Sequence, residues 1–454
     1  MPDRPVACVV LAAGKGTRLK SRVPKVLHPV AGWPMLRHVL DTLATLGPDR
    51  AVVVVGPDMK AVEQAAGPWP SVVQPEQRGT ADAVAAAREV LAGFDGDVLV
   101  MFGDTPLVTE ETLRRMLDAR RGGTDPAIVV LGMRPDDPGH YGRLVLDEAG
   151  GLETIVEYLD ATAEQRAIGL CNGGLMAFDG RRLFELLDRI GDGNAKGEFY
   201  LTDAVAVARA AGQACAVVEG SAEEVHGINS RADLAEAERL MQNRLRARAM
   251  EGGATLTDPE SVFFAADTVI GRDVTIAPSV VFGPGATIED DVEIRAFCHI
   301  EGALVQRGAV VGPFARLRPG TDLGPAARIG NFVEVKNVTL GEGAKANHLT
   351  YLGDASVGAG ANIGAGTITC NYDGYLKHRT EIGEAAFIGS NVALVAPVRV
   401  GDRANVGAGS VVARDVADDA LAIGRAEQVE KPGHARRYRE KKAAEKAAQA
   451  RRPK

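Results

Sequence analysis

The chain has 454 residues, about three times a modal domain, which excludes a single small module. Hydrophobic residues make up 46% and charged residues 25%, but aromatics are only 5% while glycines number 53, which disfavours a conventional sandwich or bundle throughout. Net charge is -8, yet residues 431–454 hold ten Lys/Arg against Glu440 and Glu445, so the remainder carries 42 bases and 58 acids, or -16; the body is acidic and the tail basic.

Short apolar runs at 7–13, 51–56, 97–103 and 127–132 read as buried strands. Between them Met35, Leu36, Val39, Leu40 and Leu43, then Leu113, Met116 and Leu117, recur at helical spacing. This order predicts an α/β doubly wound parallel sheet with its ligand at the strands' C-terminal ends. Ser230 and Asp233 resemble a capping box opening one charged helix that ends at Gly252 and Gly253. The predicted domains are therefore 1–231, a linker helix at 232–252, and 253–454.

Beyond the linker, aliphatic residues and Phe282 recur every six positions, at Ile270, Ile276, Phe282, Ile288, Ile294 and Ile300, then after a one-residue slip at Val305, Val311, Leu317, Leu323, Ile329 and Val335. The period resumes at Ile382, Ile388, Leu394, Val400, Val406 and Val412. A hexad is one flat face of a three-sided, left-handed parallel β-helix of hexapeptide repeats, whose stacked coils need few aromatics. Residues 370–380 are too polar and too long for a corner and should protrude as a loop. The basic tail, from about residue 429, reads as a solvated helix rather than a nucleic-acid or membrane contact.

No apolar run approaches the roughly 18 residues that span a bilayer, and the first strand enters a Gly/Lys/Arg turn rather than a cleavage site, so the chain reads as cytoplasmic. Cys8, Cys171, Cys215, Cys298 and Cys370 are odd in number and form no C-x-x-C pair, which indicates neither a disulfide framework nor a zinc site.

After the first strand comes LAAGKGTRL at 11–19, then PKVLH at 24–28. A Gly-rich turn offers backbone N–H groups to phosphate, and Arg18 and Lys25 add the fixed cations a triphosphate needs. Neither a dinucleotide fingerprint nor a P-loop is present. Asp104, after the strand ending FGD, sits where it would hold Mg²⁺ or equally cap a helix. In the hexapeptide region Arg318 and Lys336 are 18 residues apart, and since stacked strands are about 4.8 Å apart, that spacing builds one anion site.

LAAGKGTRL, PKVLH and FGD together resemble the sugar-nucleotidyltransferases. Joined to a hexapeptide β-helix, with NHLTYLGD and CNYDG, the chain is similar over residues 1 to about 428 to the bifunctional bacterial family of N-acetylglucosamine-1-phosphate uridyltransferases and glucosamine-1-phosphate N-acetyltransferases. The resemblance implies that Leu11, Ala12, Ala13 and Gly14 approach UTP, that Arg18 and Lys25 contact its phosphates, and that Gln74, Gly79 and Thr80 read uracil. It implies Mg²⁺ on Asp104 and Asn229, and an N-acetylglucosamine moiety on Gly142, Glu157 and Asn172. The family commonly has Asn-Thr-Gly where this chain has Asn172-Gly173-Gly174, and Lys where Leu159 stands.

For the β-helix the resemblance implies His348 as general base, since acetyl transfer to an amine requires loss of a proton that a histidine accepts near neutral pH. Arg318, Lys336, Tyr351 and Asn362 would bind glucosamine 1-phosphate, and Ala365, Asn371, Tyr372, Ser390, Ala408 and Arg425 would line the acetyl-CoA site. Asn371 is also a candidate to orient the imidazole. The expected activity is acetylation of glucosamine 1-phosphate, then uridylyl transfer from UTP to N-acetylglucosamine 1-phosphate, giving UDP-N-acetylglucosamine for a cell-envelope polymer. A homotrimer is expected by analogy, with no membrane span and no nucleic-acid partner. The alternatives are a monofunctional nucleotidyltransferase whose β-helix oligomerises or regulates, and a non-catalytic scaffold.

Overall fold

A computed structural model describes residues 4–450. The chain divides into two compact units between Thr287 and Ile288.

In the first unit, strands β1 (Val6–Leu11), β2 (Arg50–Val55), β3 (Ser71–Val73), β4 (Asp97–Phe102), β5 (Ile128–Met133), β6 (Arg143–Leu146), β7 (Leu152–Val156), β8 (Cys171–Asp179) and β9 (Cys215–Glu219) form one sheet. Its order is β9-β5-β8-β4-β1-β2-β3, with the β6/β7 hairpin joined to β8. The sheet is doubly wound, because side chains alternate along a strand and both faces are buried. Ala7, Val9 and Leu11 enter one core, with Ala81 and Val84 of the helix α1 (Thr80–Ala85). Cys8, Val10 and Ala12 enter the other, under Leu36, Val39 and Leu43 and under Leu113 and Met116 of α2 (Glu110–Arg120).

The sheet is mixed, which corrects the all-parallel expectation: β1 runs parallel to β2 and β4, but β8 is antiparallel to both β4 and β5. The β6/β7 hairpin turns the chain back before β8. Chain order reverses beside β1, whose next strand β2 lies on one side and β4 on the other. That switch leaves a crevice at the strand ends, where Leu11 and Phe102 are partners.

The helix α3 (Arg231–Glu251) carries the expected capping box: the Ser230 hydroxyl accepts from Asp233 N, and the Asp233 carboxylate accepts from Ser230 N.

Beyond it the chain winds as a parallel β-helix. Every hexad residue named above except Ile270, which is half-buried, is buried. In the second unit the coils include β10 (Arg328–Asn331), β11 (Glu334–Leu340), β12 (Lys345–His348), β13 (Tyr351–Val357), β14 (Ile368–Cys370) and β15 (Thr380–Ile382). Leu317 pairs with Val335, Val335 with Leu352, and Ile388 with Val406, so each turn of 17 or 18 residues lies directly on the last. Between β14 and β15 the chain leaves the coil: Tyr375 is 92% exposed, and Tyr372 and Leu376 are exposed. The helix α4 (His434–Ala450) has no buried residue, and the last four tail residues, 451–454, lie outside the described residues. No helix among the described residues is long and apolar enough to cross a membrane.

Candidate active sites

At the crevice beside β1 lies a cavity of about 420 Å³. Eight of the residues expected to meet the nucleotide or its metal line it: Leu11, Ala13, Gly14, Lys25, Gln74, Gly79, Thr80 and Asp104. Ala12 instead turns its methyl into the core, so only its backbone faces that end of the strand.

The polar groups are held in defined orientations. Gln74 is buried, and its Nε2 donates to Gly79 O at 2.9 Å and Asp82 Oδ2 at 2.8 Å. That leaves Oε1 as the acceptor the amide offers, suited to an imide N–H such as that of uracil. Gly79 has φ 131, and a Cβ there would meet the Phe199 backbone, so the close approach of the two segments requires glycine.

Arg18 and Lys25 converge on one oxygen: Arg18 Nη2 and Lys25 Nζ each donate to Asn229 Oδ1 at 2.7 Å. Lys25 also forms an ion pair with Asp104. Ile228 N donates to Asp104 O at 3.2 Å, and Asp233 accepts from Asn229 N at 2.9 Å, so the cap of α3 sets the position of Asn229. Oxygens of Asp104 and Asn229 thus already meet around a single cation, the Lys25 ammonium. No cluster of three or more His, Cys, Asp or Glu suited to a metal occurs among the described residues. Two oxygens fit Mg²⁺, which takes few protein ligands and completes its shell with water and substrate phosphates.

The three sugar-site candidates are also brought together. Asn172 N donates to Gly142 O at 2.8 Å, and a Cβ on Gly142 would lie 3.6 Å from both Asn172 and Glu157. Burial pushes the Glu157 carboxyl above its ordinary range, and Thr202 Oγ1, donating to it at 3.3 Å, opposes the shift. Gly173 lies in the irregular stretch of β8, where a Cβ would stand 2.9 Å from Leu131 O and 3.1 Å from Val225. The backbone path of this chain therefore disfavours a larger residue at 173.

On the β-helix, Nδ1 of His348 lies 2.7 Å from Oδ1 of Asn331, its register partner one coil below. An amide oxygen only accepts, so Nδ1 carries the proton and Nε2 presents its lone pair. Asn331 was not singled out from sequence: it lies 17 residues before His348, whereas the 18-residue spacing that joins Arg318 to Lys336 leads from Asn331 to Leu349. Asn371 does not orient the imidazole: its Nδ2 donates to Asp354.

Arg318 and Lys336 are brought together as the spacing predicted. Arg318 Nη1 donates to Glu334 at 2.9 Å, and the Lys336 ammonium is pushed below its ordinary range, chiefly by Lys377, then by desolvation and by Arg318. Lys377, from the protruding loop, is thus a third cation that sequence reading missed; the fold brings it in from the loop. Tyr351 lies over the same face, for a Cβ on Gly353 would collide with its hydroxyl and with the Asn371 amide. Asn362 lies on the neighbouring face, paired with Lys345 and Phe387.

Ala365, Ser390 and Ala408 form a column at one corner. Asn391 N donates to Ala365 O, Gly409 N to Ser390 O, and Arg425 Nη1 to Ala408 O at 2.6 Å. Tyr372 stays in the exposed loop, its hydroxyl donating to Gly374 O at 2.6 Å.

Comparison with known proteins finds a separate family match in each half of the chain. The MobA-like NTP transferase domain family matches residues 8–168, and the bacterial transferase hexapeptide repeat, six repeats, matches residues 267–302 and 379–414. The Bifunctional protein GlmU of Rhodospirillum rubrum is 63% identical over 95% of this chain and 97% of its own length. Those of Paramagnetospirillum magneticum and Sphingopyxis alaskensis are 59% and 57% identical, each over 98% of this chain and 99% of their own. With similarity at that level across both halves, the chain belongs to the bifunctional GlmU family of nucleotidyl- and acyltransferases.

Proposed function

We infer that the two sites run consecutive transfers that make UDP-N-acetylglucosamine, and the observation that carries this reading is the 57–63% identity, across nearly the whole chain, to relatives named as bifunctional. Acetyl-CoA acetylates glucosamine 1-phosphate on the β-helix; UTP then takes the N-acetylglucosamine 1-phosphate so formed. Residues 1–231 serve uridylyl transfer, 232–252 link, and 253–454 serve acetyl transfer.

In acetyl transfer, His348 Nε2 takes a proton from the glucosamine amino group as the nitrogen attacks the thioester carbonyl, and the C–S bond then breaks to release coenzyme A, whose sulfur takes up that proton. Asn331 holds the tautomer that leaves Nε2 free. Arg318, Lys336 and Lys377 hold the sugar phosphate, and Tyr351 and Asn362 flank it. The corner column of Ala365, Ser390 and Ala408, with Arg425 and the loop residues Asn371 and Tyr372, receives coenzyme A.

Uridylyl transfer needs no protein nucleophile, because a phosphate oxygen of N-acetylglucosamine 1-phosphate attacks the α-phosphorus of UTP and pyrophosphate leaves. The protein's contribution is positioning and charge neutralisation. Residues 11–14, Gln74, Gly79 and Thr80 seat the nucleotide, Arg18 and Lys25 hold its phosphates, and Gly142, Glu157 and Asn172 hold the sugar. Asp104 and Asn229 would hold Mg²⁺, which when bound supplies charge to the phosphates.

An exposed ladder supports assembly as a homotrimer. Phe297, Phe314 and Phe332 stack with ring centroids 4.8 and 5.2 Å apart, and Leu349 continues the row at 62% exposure. A continuous apolar row of this kind marks an interaction surface.

Incubating the purified protein with glucosamine 1-phosphate, acetyl-CoA, UTP and Mg²⁺ tests the route. UDP-N-acetylglucosamine is expected only with all four. Replacing glucosamine 1-phosphate by its N-acetyl form should remove the need for acetyl-CoA, and product that still requires acetyl-CoA would overturn the order.

A further inference from the structure

One corner of the β-helix stacks three polar side chains, Asn337, Asp354 and Asn371, each 17 residues after the last. Asn337 Nδ2 donates to Asp354 Oδ1 at 2.7 Å, and Asn371 Nδ2 donates to Asp354 Oδ2. Asn337 and Asp354 both have positive φ, 52° and 49°, a conformation that Asn and Asp accept more readily than other non-glycine residues. The backbone of both corners therefore favours short polar side chains.

The middle residue fixes the direction of its neighbours. Burial alone would raise the Asp354 carboxyl, but the amides of Asn337 and Asn371 and the charges of Lys336 and Lys377 hold it below its ordinary range, so it is ionised at neutral pH. A carboxylate only accepts hydrogen bonds. Each amide must therefore present its NH₂ to Asp354 and turn its oxygen away. No described residue donates to Asn371 Oδ1, and that oxygen is not among the buried unpaired atoms.

From this geometry we propose that Asp354 is a positioning residue for acetyl transfer, locking Asn371 so that its side chain acts on the substrates as a hydrogen-bond acceptor. The ligand group it receives is an N–H, either the amino group of the sugar phosphate or an amide of the coenzyme A arm. The proposal rests on the placement of Asn371 in the acetyl-transfer site, and the test separates the two.

The test is a charge swap across the pair, read by acetyl-transfer kinetics with uridylyl transfer and thermal unfolding as controls for folding. Asn371→Asp places two carboxylates face to face and should lower kcat/KM about 10- to 100-fold. Asp354→Asn frees the Asn371 amide to rotate and should lower it to a lesser degree. The double variant Asp354→Asn/Asn371→Asp restores a donor facing an acceptor and keeps an oxygen toward the substrates. Its kcat/KM should recover to within a few-fold of the wild type. Failure of the swap to recover, with uridylyl transfer and melting temperature intact, would overturn the acceptor role. Loss of melting temperature in Asp354→Asn without change in kcat or KM would make the column purely structural and overturn the proposal. An Asn371→Ala variant with unchanged acetyl-transfer kinetics would instead remove Asn371 from the site. Varying acetyl-CoA and glucosamine 1-phosphate separately assigns the N–H, by which KM responds.

Discussion

Asn331 and His348 come from adjacent coils and share one hydrogen bond, which gives the proposed general base a fixed tautomer without a charged partner. Asn331→Ala should lower kcat for acetyl transfer about 10- to 100-fold while leaving KM for glucosamine 1-phosphate and all of uridylyl transfer unchanged. Steady-state kinetics of both reactions checks this, and an unchanged kcat would show that the imidazole needs no such partner. Motif and spacing named the candidate residues at both sites, but not the partners that hold them. Arg18 and Asn229 are 211 residues apart, a distance that no local pattern reports and only the fold closes. The coil containing Asn331 and His348 is one residue shorter than the 18-residue spacing between Arg318 and Lys336, a local change that the repeat alone does not report.

At the scale of elements, the start of α3 does two jobs. Its cap binds the Ser230 backbone as any capping box does, and Asp233 also accepts from Asn229 N, tying a helix end to the uridylyl site. Ser230→Ala should cost about 1 kcal/mol of stability and leave both activities alone. Asp233→Asn should weaken uridylyl transfer as well. Burial pushes the Asp233 carboxyl up, but hydrogen bonds from Asn229 and Ser230 outweigh it and hold it below its ordinary range. A carboxyl depressed in the folded state contributes stability above its unfolded pKa of about 3.9, lost as pH falls through the folded value. Unfolding followed against pH should therefore show acid destabilisation below about pH 4 that Asp233→Asn partly lacks; identical acid limbs would contradict the assignment. Strands with uniform apolar character, such as β1, β2, β4 and β5, were legible. The strand β8 was not, because its CNGG start breaks the apolar run and its register shifts between Asn172 and Met176.

Over the whole molecule, the scarcity of aromatics follows from a long stretch of β-helix cored by aliphatic side chains; the hexad period located one row of them, while others such as Val274, Val292, Leu352 and Ile363 are buried off that list. The aromatics that do occur there include the exposed stack Phe297, Phe314 and Phe332. All three sit at corners with positive φ, 63°, 56° and 57°, where a bulky residue is an outlier on steric grounds. A row of such residues left in water is unfavourable unless something covers it, and a second and third copy of the chain would do so. Phe332→Asp should lower the sedimentation of the proposed trimer to that of a monomer, whereas a wild type that sediments as a monomer would contradict assembly through this surface.

Two sites on one chain, each working without the other, are what the proposed function requires. The direct measurement is a paired assay on wild type, His348→Ala and Asp104→Ala: coenzyme A released from acetyl-CoA with glucosamine 1-phosphate, and pyrophosphate released from UTP with N-acetylglucosamine 1-phosphate and Mg²⁺. His348→Ala should abolish only the first signal and Asp104→Ala only the second. Loss of both signals in either variant, or a wild type that releases no coenzyme A, would contradict the account.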